Sequence, residues 1–220
     1  MDLAKIRDFW GSDLKLIKDS KVIKDNLSPN SVTFLEQVGL PAPRRLLKER
    51  SHYLNSIVIS SKQHYDDETV KGTLPFFEFD IAMIATFNYE NDIYIKIGQD
   101  NVASLAIHTT SEEVYFFYPE STTKINGLPD MPDRRYLNKS IELAVRSLTC
   151  ELLYRKAMIK PIQEYIRYIN IDESAKANEQ LPKIDEIVNQ MENELRRIDD
   201  SPFHRPNSWW LMYLDDTKQT

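Results

Sequence analysis

The chain has 220 residues, of which 41% are hydrophobic, 10% aromatic and 28% charged, a composition that supports one folded core. Its net charge of −6 arises from 34 acidic and 28 basic side chains, and no block of about five or more like charges occurs, which argues against binding nucleic acid by phosphate neutralisation. A single cysteine excludes an intramolecular disulfide, and the absence of a leader pattern and of an apolar run of about 18 residues predicts a cytoplasmic protein without a membrane span.

The first 41 residues contain two helix signatures. Leu3, Ile6 and Phe9-Trp10 recur at helical spacing and are followed by Gly11, which predicts a short amphipathic helix with a glycine stop. Ser28-Pro29 is a strong helix start, because serine caps free N–H groups and proline at the first position has none to lose. Gly39 and Pro41 predict the end of that second helix.

Strand patterns dominate from about residue 50 to residue 120. In Ile93–Ile97 the isoleucines alternate with Tyr94 and Lys96, so one face is predicted to meet a core and the other solvent or a second layer. The other candidate strands are Ile57–Ile59, Met83–Phe87, Leu105–Ile107 and Val114–Tyr118. Short turns between consecutive strands predict an antiparallel meander.

Helical spacing returns after residue 138, where Asn138 or Ser140 is the expected cap. Pro161 is expected to break or kink this helix, with a second helical pattern over Ile162–Ile169. Pro182 opens a third pattern that ends near Ile198, and the polar stretch between them, residues 172–180, is the expected linker.

The aromatic pair Trp209-Trp210 predicts a terminal helix docked on the core. The resulting fold class is α+β, a largely antiparallel sheet packed against helices with a helical C-terminal part. We expect a single domain, with an N-terminal helix and connection at 1–25, a sheet-rich part at 26–135 and a helical part at 136–220.

A search for catalytic and metal-binding motifs predicts neither catalysis nor a cofactor. The four histidines, His52, His64, His108 and His204, are too far apart in sequence to match a zinc motif, and there is no second cysteine to help them. No serine lies in a nucleophile motif. Cys150 occupies a predicted helix core position, which favours a buried, unreactive thiol over a nucleophile.

Three separated stretches carry a family resemblance. The first is Phe34 to Pro41. The second is Leu137–Ile141, which follows the predicted strands at 94–98 and 114–115. The third is the end of the chain, with Ile198-Asp199 and Trp209-Trp210. In this order they resemble the SUKH superfamily of bacterial immunity proteins, particularly its fourth subfamily, from about residue 26 to the end. Lys139 departs from the small residue usual there, and residues 42–92 match weakly.

The resemblance implies an α+β fold, no catalytic residues, and a protein that binds and neutralises a polymorphic toxin by occluding its active region. The resemblance implies a toxin of the nuclease or nucleic-acid deaminase type, and if that toxin has a basic substrate groove, an acidic surface here would mimic nucleic acid. The candidate partner-binding residues are Tyr65, Asp66, Asp67, Glu68, Glu112 and Glu113. The first four lie in a polar loop, residues 60–72, where recognition residues are common.

The resemblance leaves one alternative open, an intracellular adaptor or regulatory protein that binds a partner without neutralising it, because the superfamily also resembles regulators of fungal cell-wall synthesis. An enzyme is the weakest interpretation, because no nucleophile, metal motif or phosphate loop is present in the sequence. The expected partner is therefore a protein, the cognate toxin, with neither nucleic acid nor membrane as a ligand. The pattern leaves the oligomeric state open.

Overall fold

The structure is a computed structural model that describes residues 2–42, 78–79, 84–99, 103–118 and 134–219. Its helices are α1 (Leu3–Trp10), α2 (Lys21–Asn26), α3 (Pro29–Gln37), α4 (Ile141–Asn170), α5 (Ser174–Asn178), α6 (Leu181–Ile198) and α7 (Trp209–Gln219). Its strands are β1 (Leu14–Lys15), β2 (Leu40–Pro41), β3 (Glu78–Phe79), β4 (Ala85–Tyr89), β5 (Asp92–Gln99), β6 (Ser104–His108), β7 (Val114–Phe117) and β8 (Arg134–Asn138). The predicted strand Ile57–Ile59 and the polar loop at 60–72 lie outside the described residues.

Side-chain caps begin the N-terminal helices as the sequence predicts. The Asp2 carboxylate accepts a hydrogen bond from the Lys5 amide at 2.9 Å, and Ser28 caps α3, which has Pro29 in its first turn. These caps satisfy amides that have no partner within the helix. The small helix α2 and the β1–β2 pair, in which Lys15 lies opposite Leu40, are additions that the sequence patterns do not predict.

The main sheet is antiparallel throughout. Strands β5, β6, β7 and β8 pair in chain order, as expected for a meander. On the far side of β5, two strands share one position: β4 pairs with Asp92–Lys96 and β3 with Gly98 and Gln99. Strand β8 is bordered by the chain after α6, since the Tyr136 amide donates to the Asn207 carbonyl at 3.3 Å and Tyr136 forms a parallel bridge with Ser208.

Side chains of the sheet alternate between two apolar layers. Ile95 and Ile97 of β5 belong to the main core with the helices, whereas Tyr94 belongs to a separate aromatic cluster on the opposite face. This follows from the two-residue period of a strand. The sequence prediction for Ile93–Ile97 is thus confirmed for Ile95 and Ile97, while Ile93, near the strand end, is exposed.

The helical part covers one face of the sheet. Helix α4 starts at the cap Ser140 and continues unbroken through Pro161 to Asn170, so the prediction of a separate helix after Pro161 is wrong. Proline removes one amide donor, normally at a cost of about 3 kcal/mol. Here Ala157, whose carbonyl loses that partner, is exposed and can bind water, and the packing of α6 and α5 along α4 offsets the cost.

The predicted linker at 172–180 is partly helical, because it contains α5. The other C-terminal predictions are confirmed: α6 begins with proline in its first turn, and Trp209 and Trp210 of α7 are buried in the core. Trp10 of α1 joins the same core, and its indole N–H donates to the Thr149 hydroxyl of α4 at 2.9 Å. The architecture is the α+β fold expected from the sequence.

A buried polar network joins β8, α4, α6 and α7. Asn138 is fully buried; its amide nitrogen donates to the Asp199 carboxylate at 3.1 Å and to the Ser147 hydroxyl at 3.3 Å, and its oxygen accepts from the Trp210 indole at 3.1 Å. Asp199 also accepts from the Lys139 amide at 2.8 Å and from the Ser201 hydroxyl at 2.5 Å. We call this set the Asn138 network.

We expect Asn138→Ala to lower the free energy of unfolding by about 2–4 kcal/mol, because it leaves a buried indole donor and part of a buried carboxylate without partners. Urea denaturation measures this loss. The matched control is Asn189→Ala on the exposed face of α6, for which a change within about 0.5 kcal/mol is expected. Equal stabilities for the two variants would contradict a structural role for the network.

Gly39 allows α3 to end against β1. Its φ is +84°, and a Cβ built there would lie 2.3 Å from the Lys15 carbonyl oxygen and 2.9 Å from the Leu16 amide nitrogen. Both neighbours are backbone atoms, which cannot rotate away. Gly39 therefore ends α3, as the sequence predicts, and also lets the backbone after α3 pass close to the backbone of Lys15 and Leu16.

Gly39→Ala should destabilise the fold by roughly 2–4 kcal/mol, the sum of a left-handed backbone and a backbone clash. Gly11→Ala is the comparison, because Gly11 also has a positive φ (+53°) but nothing within 4 Å of a built Cβ. Its ψ is −126°, so a side chain there would be strained by its own backbone, and Gly11→Ala should cost roughly 1–3 kcal/mol. Thermal or urea unfolding measures the loss of stability in both variants. Equal losses would contradict the close-approach explanation.

Candidate partner-binding surface

The face of the sheet opposite the helices carries a cluster of aromatic rings, which we call the aromatic face. Its members are Phe87, Tyr89, Tyr94, Tyr115, Phe117 and Tyr136, with Ala106 between them. They occupy alternate positions of β4, β5, β7 and β8, so the strand period places all of them on one side. None of these rings belongs to the main core that the helices share, although the Tyr136 hydroxyl pairs with that of Ser201 in the short turn after α6.

The rings are packed against one another in defined geometries. Phe87 of β4 stacks on Tyr94 of β5 with ring centroids 5.7 Å apart, and Phe117 meets both Tyr94 and Tyr89 edge to face at 4.8 and 5.1 Å. Such pairs contribute about 0.5–1.5 kcal/mol each beyond the area they bury. The cluster is therefore tightly packed, and Phe87 and Tyr89 are its more accessible members.

Two arginines lie over these rings. The Arg134 guanidinium is 5.0 Å from the Tyr115 ring centroid and 5.6 Å from that of Tyr89, and it donates to the Tyr94 hydroxyl at 2.6 Å. Arg205 lies 3.8 Å from the Tyr136 ring centroid. Guanidinium groups favour aromatic faces in this way. The aromatic face thus combines apolar area with positive charge.

Glu113 neutralises Arg205 at the border of this face. The Glu113 carboxylate accepts from Arg205 at 2.5 Å and from the Tyr115 hydroxyl. Burial alone would raise the pKa of Glu113, but the hydrogen bonds from Tyr115 and Arg205 outweigh it and hold that pKa below its ordinary value. Burial, aided by the Glu113 charge, raises the pKa of Tyr115 to about 12, so its hydroxyl remains a donor at neutral pH.

Glu112 has a different role from its neighbour. Its carboxylate accepts from the Ser28 amide, from the Ser28 hydroxyl at 3.0 Å and from the Ser31 hydroxyl at 2.6 Å. A carboxylate is favoured at a helix N-terminus, because the free amides there carry partial positive charge. Glu112 therefore ties the β6–β7 turn to the start of α3, and it does so with a positive φ of 62°.

The candidate residues taken from the sequence fall into two groups. Tyr65, Asp66, Asp67 and Glu68 lie outside the described residues. Glu112 and Glu113 are partly buried and committed to contacts within the chain, on opposite sides of the turn that joins β6 to β7. Any contact they make with a partner would compete with these internal hydrogen bonds.

The aromatic face is the feature that the sequence reading did not identify. Its rings come from four strands, and the arginines that lie over them come from β8 and from the loop before α7, far away in sequence. The available signal was that Tyr94, Tyr115, Phe117 and Tyr136 are aromatic at positions where a one-sided sheet would show polar residues.

A small pocket opens beside β4 on this face. Its volume is about 250 Å³, and it is lined by Ala85, Thr86, Phe87, Lys96, Ser104 and Phe117. Pockets that hold small-molecule ligands are usually larger, about 300–1,000 Å³. The size of this one suits a single side chain.

The thiol and the described imidazoles are held apart from one another. Cys150 is fully buried, and burial raises the pKa of its thiol to about 12, so the thiolate form is suppressed. His108 pairs with Ser111, and His204 with Asp200, in separate regions. Within the described residues, no group of three His, Cys, Asp or Glu side chains is arranged to hold a metal ion.

None of the described helices has the length and apolar character needed to cross a membrane.

Comparison with known families gives one match. A family model described as SUKH-4 immunity protein matches residues 2–216, which extends the resemblance seen in the sequence to the N-terminal helix α1. No curated protein and no solved structure matches the chain. The matched range contains every described strand and nearly all of the helices.

The contacts of Glu113 predict a pH dependence of stability. Because its folded pKa lies below the unfolded value of 4.5, its stabilisation is complete above about pH 5 and is lost as the pH falls through the lowered folded pKa. Glu113→Gln should cost about 1–2 kcal/mol at pH 7 and should lose less further stability between pH 5 and pH 3 than the wild type. Urea denaturation at each pH measures both, with the exposed Glu179→Gln as control; parallel curves for wild type and Glu113→Gln would contradict the assignment.

Proposed function

The chain belongs to the SUKH-4 immunity protein family, and we propose that it protects its host by binding one cognate toxin and covering that toxin's active region. The observation that carries the proposal is the family match across residues 2–216. Immunity proteins act by complementary shape and charge, so they need a stable surface and no chemistry of their own.

The structure supports this mode of action with a surface suited to protein contacts. Tyrosine, tryptophan and arginine are enriched where protein interfaces are strongest. Here Tyr89 and Phe87 are partly accessible, and Arg134 lies beside them and donates to the Tyr94 hydroxyl. The Asn138 network and the packed core behind the sheet keep this surface rigid, which reduces the entropy lost on binding.

The finer proposal is that the toxin acts on nucleic acid, as a nuclease or a deaminase. An enzyme of that kind has a basic substrate groove, which the net charge of −6 would attract. Since Glu112 and Glu113 are occupied within the chain, we assign the contact with a basic groove to Tyr65, Asp66, Asp67 and Glu68.

The test begins with a tagged protein purified from its native host, followed by mass spectrometry of what co-purifies. We expect a large secreted protein with a C-terminal nuclease or deaminase domain. That domain, produced separately, should lose its activity when the purified chain is added in equimolar amount. Recovery of cell-envelope or signalling proteins alone would contradict an immunity function.

The acidic contact has its own prediction. Asp66→Lys combined with Asp67→Lys should weaken toxin binding at least tenfold, most strongly at low salt, because like charges repel across an interface. Asp185→Lys with Glu186→Lys, on the exposed side of α6, gives the same change in net charge and is the control. Calorimetric affinities that match the control would remove the acidic stretch from the interface and leave the immunity function standing.

A further inference from the structure

Among the described residues, one edge of the main sheet has no partner strand, and we infer that β4 binds an extended segment of the cognate toxin as an added strand, with one of its side chains in the pocket beside Lys96. This inference rests on the proposed immunity function and names the surface that would carry it. Strand addition of this kind obtains affinity from main-chain hydrogen bonds and specificity from pockets for alternate side chains.

The direction of the backbone groups in β4 follows from its partner. Asn88 lies opposite Ile93 of β5, and the Ile93 carbonyl accepts from the Thr109 amide on the β6 side at 3.0 Å. A carbonyl that points to β6 points away from β4, so Asn88 and Ile93 form a pair without mutual hydrogen bonds. The hydrogen-bonding direction alternates from residue to residue along a strand, so the N–H and C=O groups of Thr86 and Asn88 point away from β5.

These outward groups are available. Ala85, Thr86 and Asn88 are exposed, and across the part of the chain that the structure describes, no strand pairs with the outer side of β4. The other edge of the sheet differs, since the Tyr136 amide of β8 donates to the Asn207 carbonyl. Within the described ranges, one edge of the sheet is thus covered and the other is exposed.

The sequence of β4 lacks the features that usually protect an edge strand. Proteins guard exposed edges with lysine or other charges, with proline or with bulges. Strand β4 is Ala-Thr-Phe-Asn-Tyr, with no charged residue and no proline, and its five pairs with β5 run in unbroken register. An unprotected, regular edge is suited to pairing with another strand.

The pocket gives this edge chemical selectivity. It opens on the aromatic face directly beside β4 and is lined mainly by Ala85, Phe87 and Phe117. Lys96, which also lines it, forms no ion pair with a described residue. A side chain from an added strand can bury apolar atoms against Phe87 and Phe117 while a carboxylate on the same segment pairs with the ammonium group of Lys96.

The opposite side of the edge offers a second apolar contact. Ile93 is 45% exposed, although it lies one strand in from β4. Alternate residues of an added strand would therefore face the pocket on one side and the Asn88 and Ile93 side chains on the other. The segment that fits is extended, with apolar residues and at least one acidic residue.

Charge also decides between a toxin segment and a second copy of this chain. Two copies that paired through β4 would bring two neutral strands together, and the net charge of −6 on each copy would oppose their association. A segment of a different protein can bring a carboxylate to Lys96 without that repulsion. The occupant is accordingly a segment of the toxin.

The test uses Thr86→Pro, which removes one outward N–H and leaves the β4–β5 hydrogen bonds in place, together with Thr86→Val, which keeps that N–H. Urea denaturation of the free variants first establishes that both fold. The probe is a displayed library of random nine-residue peptides, selected on the wild-type protein and then synthesised. The selected peptide should protect the Thr86 and Asn88 amides from hydrogen exchange.

We expect the selected peptides to contain an acidic residue near an apolar one, and Thr86→Pro and Lys96→Glu each to weaken their binding at least tenfold while Thr86→Val binds as the wild type does. Peptides that protect other amides, or a library that yields no binder, would overturn the inference. So would a concentration-dependent dimer abolished by Thr86→Pro.

The toxin domain recovered by co-purification separates the inference from the function it rests on. If that domain binds and its binding is weakened by Thr86→Pro, both stand. If it binds Thr86→Pro and wild type equally, the immunity function stands and the strand-addition surface is refuted. If no toxin is recovered but the peptides bind β4 as expected, the edge is a peptide site and the immunity function fails.

Discussion

The buried hydrogen bonds around Asn138 are the constraint on which the arrangement of this protein depends. A carboxylate is costly to bury unless its oxygens are satisfied, and Asp199 is only 7% exposed. Its partners come from the end of β8, from the start of the long helix and from the turn after α6. Trp210 adds the last helix through the same asparagine. These hydrogen bonds therefore hold the four segments in one relative arrangement.

That position determines what the sheet can present. With the helices fixed on one face, the other face is filled by aromatic side chains and two arginines instead of a second layer of helices among the described residues. Glu113 balances Arg205, whereas Arg134 lies against aromatic rings and the Tyr94 hydroxyl, with the charge of Glu90 near enough to act on it. The surface thus combines aromatic rings with two arginines, although the whole chain is acidic.

A protein that neutralises a toxin by contact must combine rigidity with an accessible recognition element. In the proposed mode of binding, the rigid part is the core with its Asn138 network, and the accessible part is the outer side of β4, which no described strand covers. The proposed acidic contact at residues 65–68 and the cationic pocket at Lys96 would give the interface both signs of charge. Opposite charges placed at defined positions fix the register of a complex and exclude unrelated partners.

The sequence by itself determined the local elements and the family. Ser28-Pro29, Gly39, Ser140 and Pro182 mark helix ends through capping and backbone geometry, which depend on neighbouring residues alone, and the Ile93–Ile97 alternation identifies a strand. Tertiary structure decided the rest. Pro161 lies inside one continuous helix because packing along α4 offsets its local cost, and Glu112 and Glu113 form internal contacts because the chain brings Ser28 and Arg205 to them. The aromatic face and the open edge of β4 arise from strands that are distant in sequence, and no local pattern records which strand is left without a neighbour.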